Sequence, residues 1–341
     1  MRTTLKTLAA AVLALVATAC GGASAADGAS GTTTLRLGYF PNVTHASAVY
    51  GVASGVYERE LGDVALKTQT FNAGPAAVEA LFAGAIDATY IGPGPAVNAF
   101  LRSRGDVVLV AGATSGGAAL VVRPGVTDLE GLRIADPQTG GTQDIALRTY
   151  LKGKGLEVDR QGAGDVTILA QENSQTLDLF KQGTIDGAWV PEPWASRLVL
   201  DGGGTVLLDE RTLWPGGEFV TTNLLVRKDF LEQHPDAVKA LIKAQVAANE
   251  AVAGDLSKAK AVINDALEDL TGKALAPPVL DRAFRQLELT VDPLAASLKT
   301  TAEHAFASGL VKAGDLAGIY DLGPLREVTG KDYDDAGLGR G

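Results

Sequence analysis

Gly84-Ala85-Ile86-Asp87-Ala88-Thr89-Tyr90-Ile91 and Gly183-Thr184-Ile185-Asp186-Gly187-Ala188-Trp189-Val190 are near copies set 99 residues apart. Each reads as a helix end, a Gly that stops it, an Ile-Asp turn and a strand. A second pair stands upstream of the first. Leu35-Arg36-Leu37 leads to Thr44 as Leu132-Arg133-Ile134 leads to Thr142, at offsets of 97 and 98. Such pairs arise by coincidence among common α/β connections, or they mark two similar lobes. In the second case each lobe is an α/β unit with strand-to-helix turns at the carboxyl edge of its sheet, where open α/β sheets bind ligands. Two such edges facing each other make a cleft for a small molecule.

Around these copies the chain alternates strands with helices. Leu35–Phe40 has strand alternation and is broken by Pro41-Asn42; Ala46, Val49, Tyr50 and Ala53 then recur at helical spacing. Val64–Thr70, Ala88–Ile91, Val107–Ala111 and Ala118–Val122 read as strands, and Pro75–Phe82 as a helix. The pattern begins again with a strand at Leu132–Ala135, a helix over Thr142–Leu151, a strand at Val166–Leu169, a helix over Ser174–Phe180 and strands at Gly187–Val190, Val206–Leu208 and Thr221–Val226. From Asp229 to about Leu322 the chain is mostly helical, with breaks at Pro277-Pro278 and Asp292-Pro293, and residues 331–341 read as a loose tail. This alternation predicts an α/β fold, not a sandwich or a bundle.

Composition narrows the function. With 30 Lys+Arg against 40 Asp+Glu the formal charge is -10, the wrong sign for a nucleic-acid binder. The 341 residues, 46% hydrophobic, suffice for two domains with their own cores. One Cys excludes an internal disulfide and a cysteine-cluster metal site. That Cys20 follows a basic start (Arg2, Lys6) and an apolar run, Leu8–Ala17, shorter than the roughly 20 residues of a membrane span. Residues 1–19 therefore read as an export signal, and 20–33, rich in Gly, Ala, Ser and Thr, as a flexible tether. The small residues before Cys20 and Gly21-Gly22 after it resemble a bacterial lipobox, which implies that Cys20 is lipidated and becomes the mature N-terminus.

The candidate site residues are all at strand ends. Gly140-Gly141-Thr142-Gln143 opens a helix, whose unpaired N–H groups and dipole attract anions; Thr142 either caps that helix alone or also touches a ligand. In Pro41-Asn42-Val43-Thr44-His45, Asn42 and Thr44 can cap, and His45 is either structural or a donor to a ligand. Gly92-Pro93-Gly94-Pro95 is a tight turn or a place for close backbone approach. Ser115-Gly116-Gly117 is a flexible loop or a further contact. In Pro191-Glu192-Pro193-Trp194 the aromatic ring either covers a core edge or holds an aliphatic chain beside a carboxylate. No P-loop, no G-x-G-x-x-G after a strand and no G-x-S-x-G stands in the chain, and His45, His234 and His304 lack zinc-enzyme spacing. Binding, not catalysis, is the chemistry on view.

Several of these stretches together resemble one family. Leu35–Asn42, the Gly-x-Ile-Asp-x-x-x-Ile-Gly-Pro segment, Pro137–Asp144, Asp186–Trp194 and Asp292–Leu298 are similar to substrate-binding proteins of nitrate/sulfonate/taurine-type ABC importers, over about residues 34–322 and nearest the aliphatic-sulfonate branch. The resemblance implies a two-lobed type II periplasmic-binding-protein fold. Lobe 1 would comprise 34–122 plus 223–330 and lobe 2 residues 123–222, with crossings near Val122–Pro124 and Thr222–Leu225. It implies ligand contacts at Asn42, His45, Gly94, Ser115, Thr142, Gln143, Glu192 and Trp194, where no Lys or Arg offers a cationic partner and Glu192 suits a ligand that also carries an amine. It implies no cofactor, no metal and no reaction. The expected partners are a small anion, an ABC permease with its ATPase subunits, and the membrane through the N-terminal lipid, for a monomer on the outer face of a bacterial cell membrane. The alternative is a thiamine-pyrimidine-precursor binding protein or a synthase-like enzyme on the same fold.

Overall fold

The computed structural model describes residues 32–340; Cys20 and the stretches before Thr32 read as an export signal and a tether lie outside the described residues. The strands in chain order are β1 (Thr34–Tyr39), β2 (Ala65–Thr70), β3 (Ala88–Ile91), β4 (Val107–Gly116), β5 (Ala118–Val122), β6 (Arg133–Asp136), β7 (Thr167–Ala170), β8 (Gly187–Pro191), β9 (Thr205–Asp209), β10 (Val220–Arg227) and β11 (Leu287–Leu289). They form two sheets, ordered β11-β4-β10-β3-β1-β2 and β7-β6-β8-β5-β9. In the first, β1 is parallel to β2 and β3, and β10 runs antiparallel between β3 and β4. In the second, β6 is parallel to β7 and β8, and β5 runs antiparallel between β8 and β9. Strand for strand, β2-β1-β3-β10-β4 repeats as β7-β6-β8-β5-β9. The fold is α/β with two lobes, one per sheet.

The repeated Ile-Asp turn has the same job in both lobes. Asp87 accepts the backbone N–H of Arg36 at 2.9 Å and pairs with the Arg36 guanidinium, while Asp186 accepts the N–H of Arg133 at 2.9 Å and pairs with its guanidinium at 3.3 Å. The same arginines reach the carbonyls of Gly84 and Gly183, the glycines that end the preceding helices. Each Asp thus staples a helix end to two neighbouring strands, a structural role far from the carboxyl edges.

Each sheet is covered on both faces, as parallel strands require. Successive residues of β5 divide between faces: Val121 packs with Leu177, Phe180 and Leu198, and Leu120 and Val122 pack with Leu147, Leu151 and Trp189. Around the first sheet, Leu35, Leu37, Tyr90 and Leu224 share one large core with the C-terminal helices, including Val279, Leu280 and Ala283 of the helix Pro277–Phe284.

Three expectations are corrected. The chain leaves the first sheet at Gly116-Gly117 and returns through residues 210–219, not at Val122–Pro124 and Thr222–Leu225, because β5 finds its partners in β8 and β9 and β10 finds its own in β3 and β4. Leu287–Leu289, within the stretch read as helical, extends the first sheet along β4. The terminal segment is pinned: Leu338 is buried, its carbonyl accepts the N–H groups of Gly318 and Tyr320, and Arg340 pairs with Asp321 at 2.9 Å.

Candidate functional site

The carboxyl ends of the parallel strands of both sheets meet around one small cavity of about 40 Å³. After β2 come Asn72, Ala73 and Gly74, opening the helix Gly74–Phe82; after β3, Gly92 precedes the helix Pro93–Ser103. From the other lobe, Gly141 precedes the helix Thr142–Gly153 after β6, and Asn173 begins the helix Asn173–Gln182 after β7. None of these four helices has a side-chain cap at its N-terminus. Their positive dipole ends therefore converge on the cavity from both lobes, with first-turn N–H groups that no capping side chain occupies.

The side chains agree with that electrostatics. Among the described residues the cavity is lined by the amides of Asn42, Asn72, Gln138, Gln143 and Asn173, the hydroxyls of Thr44, Thr142, Thr221 and Thr222, the ring of His45, and no Lys, Arg, Asp or Glu. Asn173 is buried, and its side-chain oxygen has no hydrogen-bond partner. Two hydroxyls already serve the lobe: Thr222 donates to the carbonyl of Thr44 at 3.0 Å, and Thr221 to that of Gly116.

His45 is stacked on Phe40 with ring centroids 4.3 Å apart, and its Nδ1 accepts the Phe40 N–H at 3.3 Å. Burial alone pushes its pKa down to about 3, so the ring is neutral at physiological pH, and the occupied Nδ1 leaves the proton on Nε2. One nitrogen of His45 is thus structural, and the ring walls the cavity.

A buried network braces the loop before Thr142. Asp144 accepts the N–H of Gly140 at 2.7 Å and pairs with Arg148 at 2.5 Å, and Arg148 donates to the carbonyl of Asp159 at 2.6 Å. Asp136, at the end of β6, is fully buried, and desolvation followed by the nearby Asp144 charge hold its pKa well above the carboxylate range. The shift favours the protonated, uncharged form of Asp136 behind the site.

The structure brings together only part of the candidate set. Asn42, His45, Thr142 and Gln143 line the cavity. Thr142 is not the helix cap; Gly141 is, and the Thr142 hydroxyl faces Gly92 of the other lobe, where an added Cβ would lie 2.2 Å from it. Gly94 likewise lets two helices meet across the cleft, since a Cβ there would lie 2.5 Å from Ile145 Cδ1. Ser115 faces a different hollow with Arg211 and Gln286. Both oxygens of Glu192 are engaged, by Arg282 at 3.1 Å and the N–H of Ser196 at 3.0 Å. Trp194 donates its indole N–H to Asn42 across the cleft at 3.0 Å and lines an outer chamber. Sequence reasoning missed Asn72 and Asn173. Extending the internal repeat from β1 and β6 to β2 and β7 would have found both.

A model of the NMT1-like family matches residues 28–265. The taurine-binding periplasmic protein of Escherichia coli is 31% identical over 202 residues, covering 58% of this chain and 60% of that protein. The match thus spans about three fifths of that curated relative. The alkanesulfonate-binding protein of Xanthomonas axonopodis pv. citri, solved with bound MOPS, is 23% identical with a TM-score of 0.68 over 82% of this chain and 95% of that one. The periplasmic nitrate-binding protein of Synechocystis is 18% identical with a TM-score of 0.71, covering 83% of each chain. The fold is that of the periplasmic binding proteins.

Proposed function

The chain belongs to the NMT1-like family, and on that premise we propose that it is the extracytoplasmic ligand-capturing component of an ABC importer for a small anion. An aliphatic sulfonate is the first choice, with taurine and nitrate next. The observation that carries this reading is the uncharged cavity on which four uncapped helix N-termini from both lobes converge. Such termini attract anions without a cationic side chain. Hydrogen bonds to a charged group contribute roughly 1.5–3 kcal/mol each, so several together offset the desolvation of one anion. The protein's charge of -10 acts only weakly against this, because salt screens it beyond about 8 Å. The taurine-, alkanesulfonate- and nitrate-binding proteins to which the chain is similar support the same ligand class.

Both lobes supply donors, so a ligand stabilises the closed arrangement over the open one. Gly116 and Gly117, at φ +74° and +79°, and Gly216 and Gly217, at φ +66° and +78°, stand in the two connections and suit a hinge. In this reading the lobes are 34–116 with 220–340, and 118–209. The closed monomer, held by a lipid on Cys20, then delivers its anion to a membrane permease and the attached ATPase subunits. Among the described residues the lining offers one neutral His and neither a carboxylate nor a thiol. Calorimetric titration with methanesulfonate, taurine, nitrate and sulfate tests the proposal. Saturable binding of at least one is expected, and silence for all four would overturn it.

A further inference from the structure

The return connection, residues 210–219, opens with a buried acid that anion capture leaves unused. Glu210, the first residue after β9, is 2% exposed, and its carboxyl accepts the indole N–H of Trp189 at 2.7 Å. Trp189 lies on β8 and belongs to the core of the second lobe. A second indole stands beside the same carboxyl. Trp214 stacks on Phe219 with ring centroids 5.4 Å apart and lies 6.2 Å from the ring of His304. Both neighbours are held by the first lobe. The Phe219 carbonyl accepts the N–H of Gly116 at the end of β4, and His304 is on the helix Ala295–Ala307, whose Leu298 and Ala302 enter the first core. The Trp214 N–H is buried without a hydrogen-bond partner, yet close enough to draw the Glu210 pKa down.

The charges around Glu210 are few. Among the described residues no Lys or Arg pairs with it. Asp209, its neighbour on β9, raises its pKa and is itself bound by Arg211 at 2.6 Å. β5, packed against the connection, presents only the apolar side chains of Ala118–Val122. Tyr150 lies against Trp189 with ring centroids 5.8 Å apart, and Glu218, at the far end of the connection, is exposed. Burial is the largest influence and pushes Glu210 up to about 7.

We propose that Glu210 makes the hinge sensitive to pH: its protonated carboxyl stays between the indoles of the two closed lobes, and its charged form favours the rotation that parts them and admits water. This rests on the hinge of the proposed function and adds regulation to it. Hydrated in the open arrangement, the group returns toward its ordinary 4.5, so closing takes up a proton in the window from about 4.5 to about 7. The proton's contribution to closure is complete below that window and is lost as pH rises through it. His45 acts in the opposite sense, because its burial in the closed cavity releases a proton wherever the open ring would hold one.

Proton uptake on closing is directly measurable. Methanesulfonate, which does not titrate in this range, is bound calorimetrically at pH 6 in buffers of different ionisation enthalpy. The proteins are the parent and Glu210→Gln, whose amide copies the protonated acid. The parent should take up about half to one proton more per anion than Glu210→Gln, a difference from which His45 cancels. Its affinity should also fall about tenfold or more from pH 5 to pH 8 relative to that of the variant. Equal proton uptake in the two proteins would overturn the hinge switch and leave anion capture standing. If no anion binds, capture fails, and small-angle X-ray scattering of the ligand-free proteins decides the switch. The parent's envelope should then widen from pH 5 to pH 8 while that of Glu210→Gln stays fixed, and identical behaviour of the two would overturn the switch as well.

Discussion

Asn173 shows how the site is poised. Its side-chain oxygen is buried and unpartnered, a situation that costs about 1–3 kcal/mol when nothing relieves it. Turning the amide over presents its N–H groups to the cavity instead, and an arriving anion supplies the acceptor. Asn173→Asp keeps the shape and reverses the electrostatics. Two unit charges about 4 Å apart at an effective dielectric near 20 repel by about 4 kcal/mol. We therefore expect the bound anion to be weakened roughly 10³-fold in calorimetric titration, while Asn173→Ser, losing one charge-assisted bond, costs about tenfold to a hundredfold. An Asp variant that binds within threefold of the parent would remove Asn173 from the site. The same economy explains His45. With its pKa pushed down to about 3 by burial, it walls the cavity as a neutral ring and not as a cation.

Between elements, the decisive contact is one that the sequence placed in the wrong role. Glu192 follows β8 in the second lobe, and Arg282 lies on the helix Pro277–Phe284, whose apolar face belongs to the first lobe's core. Their 3.1 Å pair therefore crosses between lobes, with Glu192 1% exposed and Arg282 19%. Removing one member of such a pair leaves a buried charge uncompensated, at about 3–5 kcal/mol, whereas removing both often costs little. Arg282→Met should weaken ligand binding by about a hundredfold or more, and the double variant Glu192→Gln/Arg282→Met should recover most of it. Equal losses in single and double variants would mean that the pair does not stabilise the closed form. Glu192 looked like a ligand group because a carboxylate after a strand end is visible locally, while its partner 90 residues away is not. The same limit shaped the other misreadings. The Gly-stopped helices and the Asp turns were legible because capping and turn chemistry are local. The helix Pro93–Ser103 was hidden by Pro-Gly-Pro, which reads as a turn although Pro is favoured in a helix's first turn. The crossing at Gly116-Gly117 was hidden because pairing partners, not local propensity, decide which sheet β5 joins.

At the scale of the whole molecule, the inter-lobe fit depends on residues that lack a side chain. Gly92 stands at the edge of the first lobe, and the atoms that an added Cβ would crowd belong to Thr142 of the second: Oγ1 at 2.2 Å and Cβ at 3.3 Å. Within its own lobe the nearest atom is the Thr221 carbonyl oxygen at 3.5 Å, an ordinary contact, and its backbone at φ -71° suits any residue. A Cβ here is therefore compatible with the first lobe and incompatible with the present approach of the two. Gly92→Val separates folding from closure for that reason. Its melting temperature without ligand should match that of the parent within a degree or two. Titration should show methanesulfonate binding weakened by two orders of magnitude or more, because only one lobe can then reach the anion. In small-angle X-ray scattering the parent should contract when the anion is added, and Gly92→Val should keep its extended envelope at any concentration. If the variant instead binds and contracts like the parent, the Gly92–Thr142 contact lies outside the binding-competent state, and the cavity between the lobes is not where the anion is held.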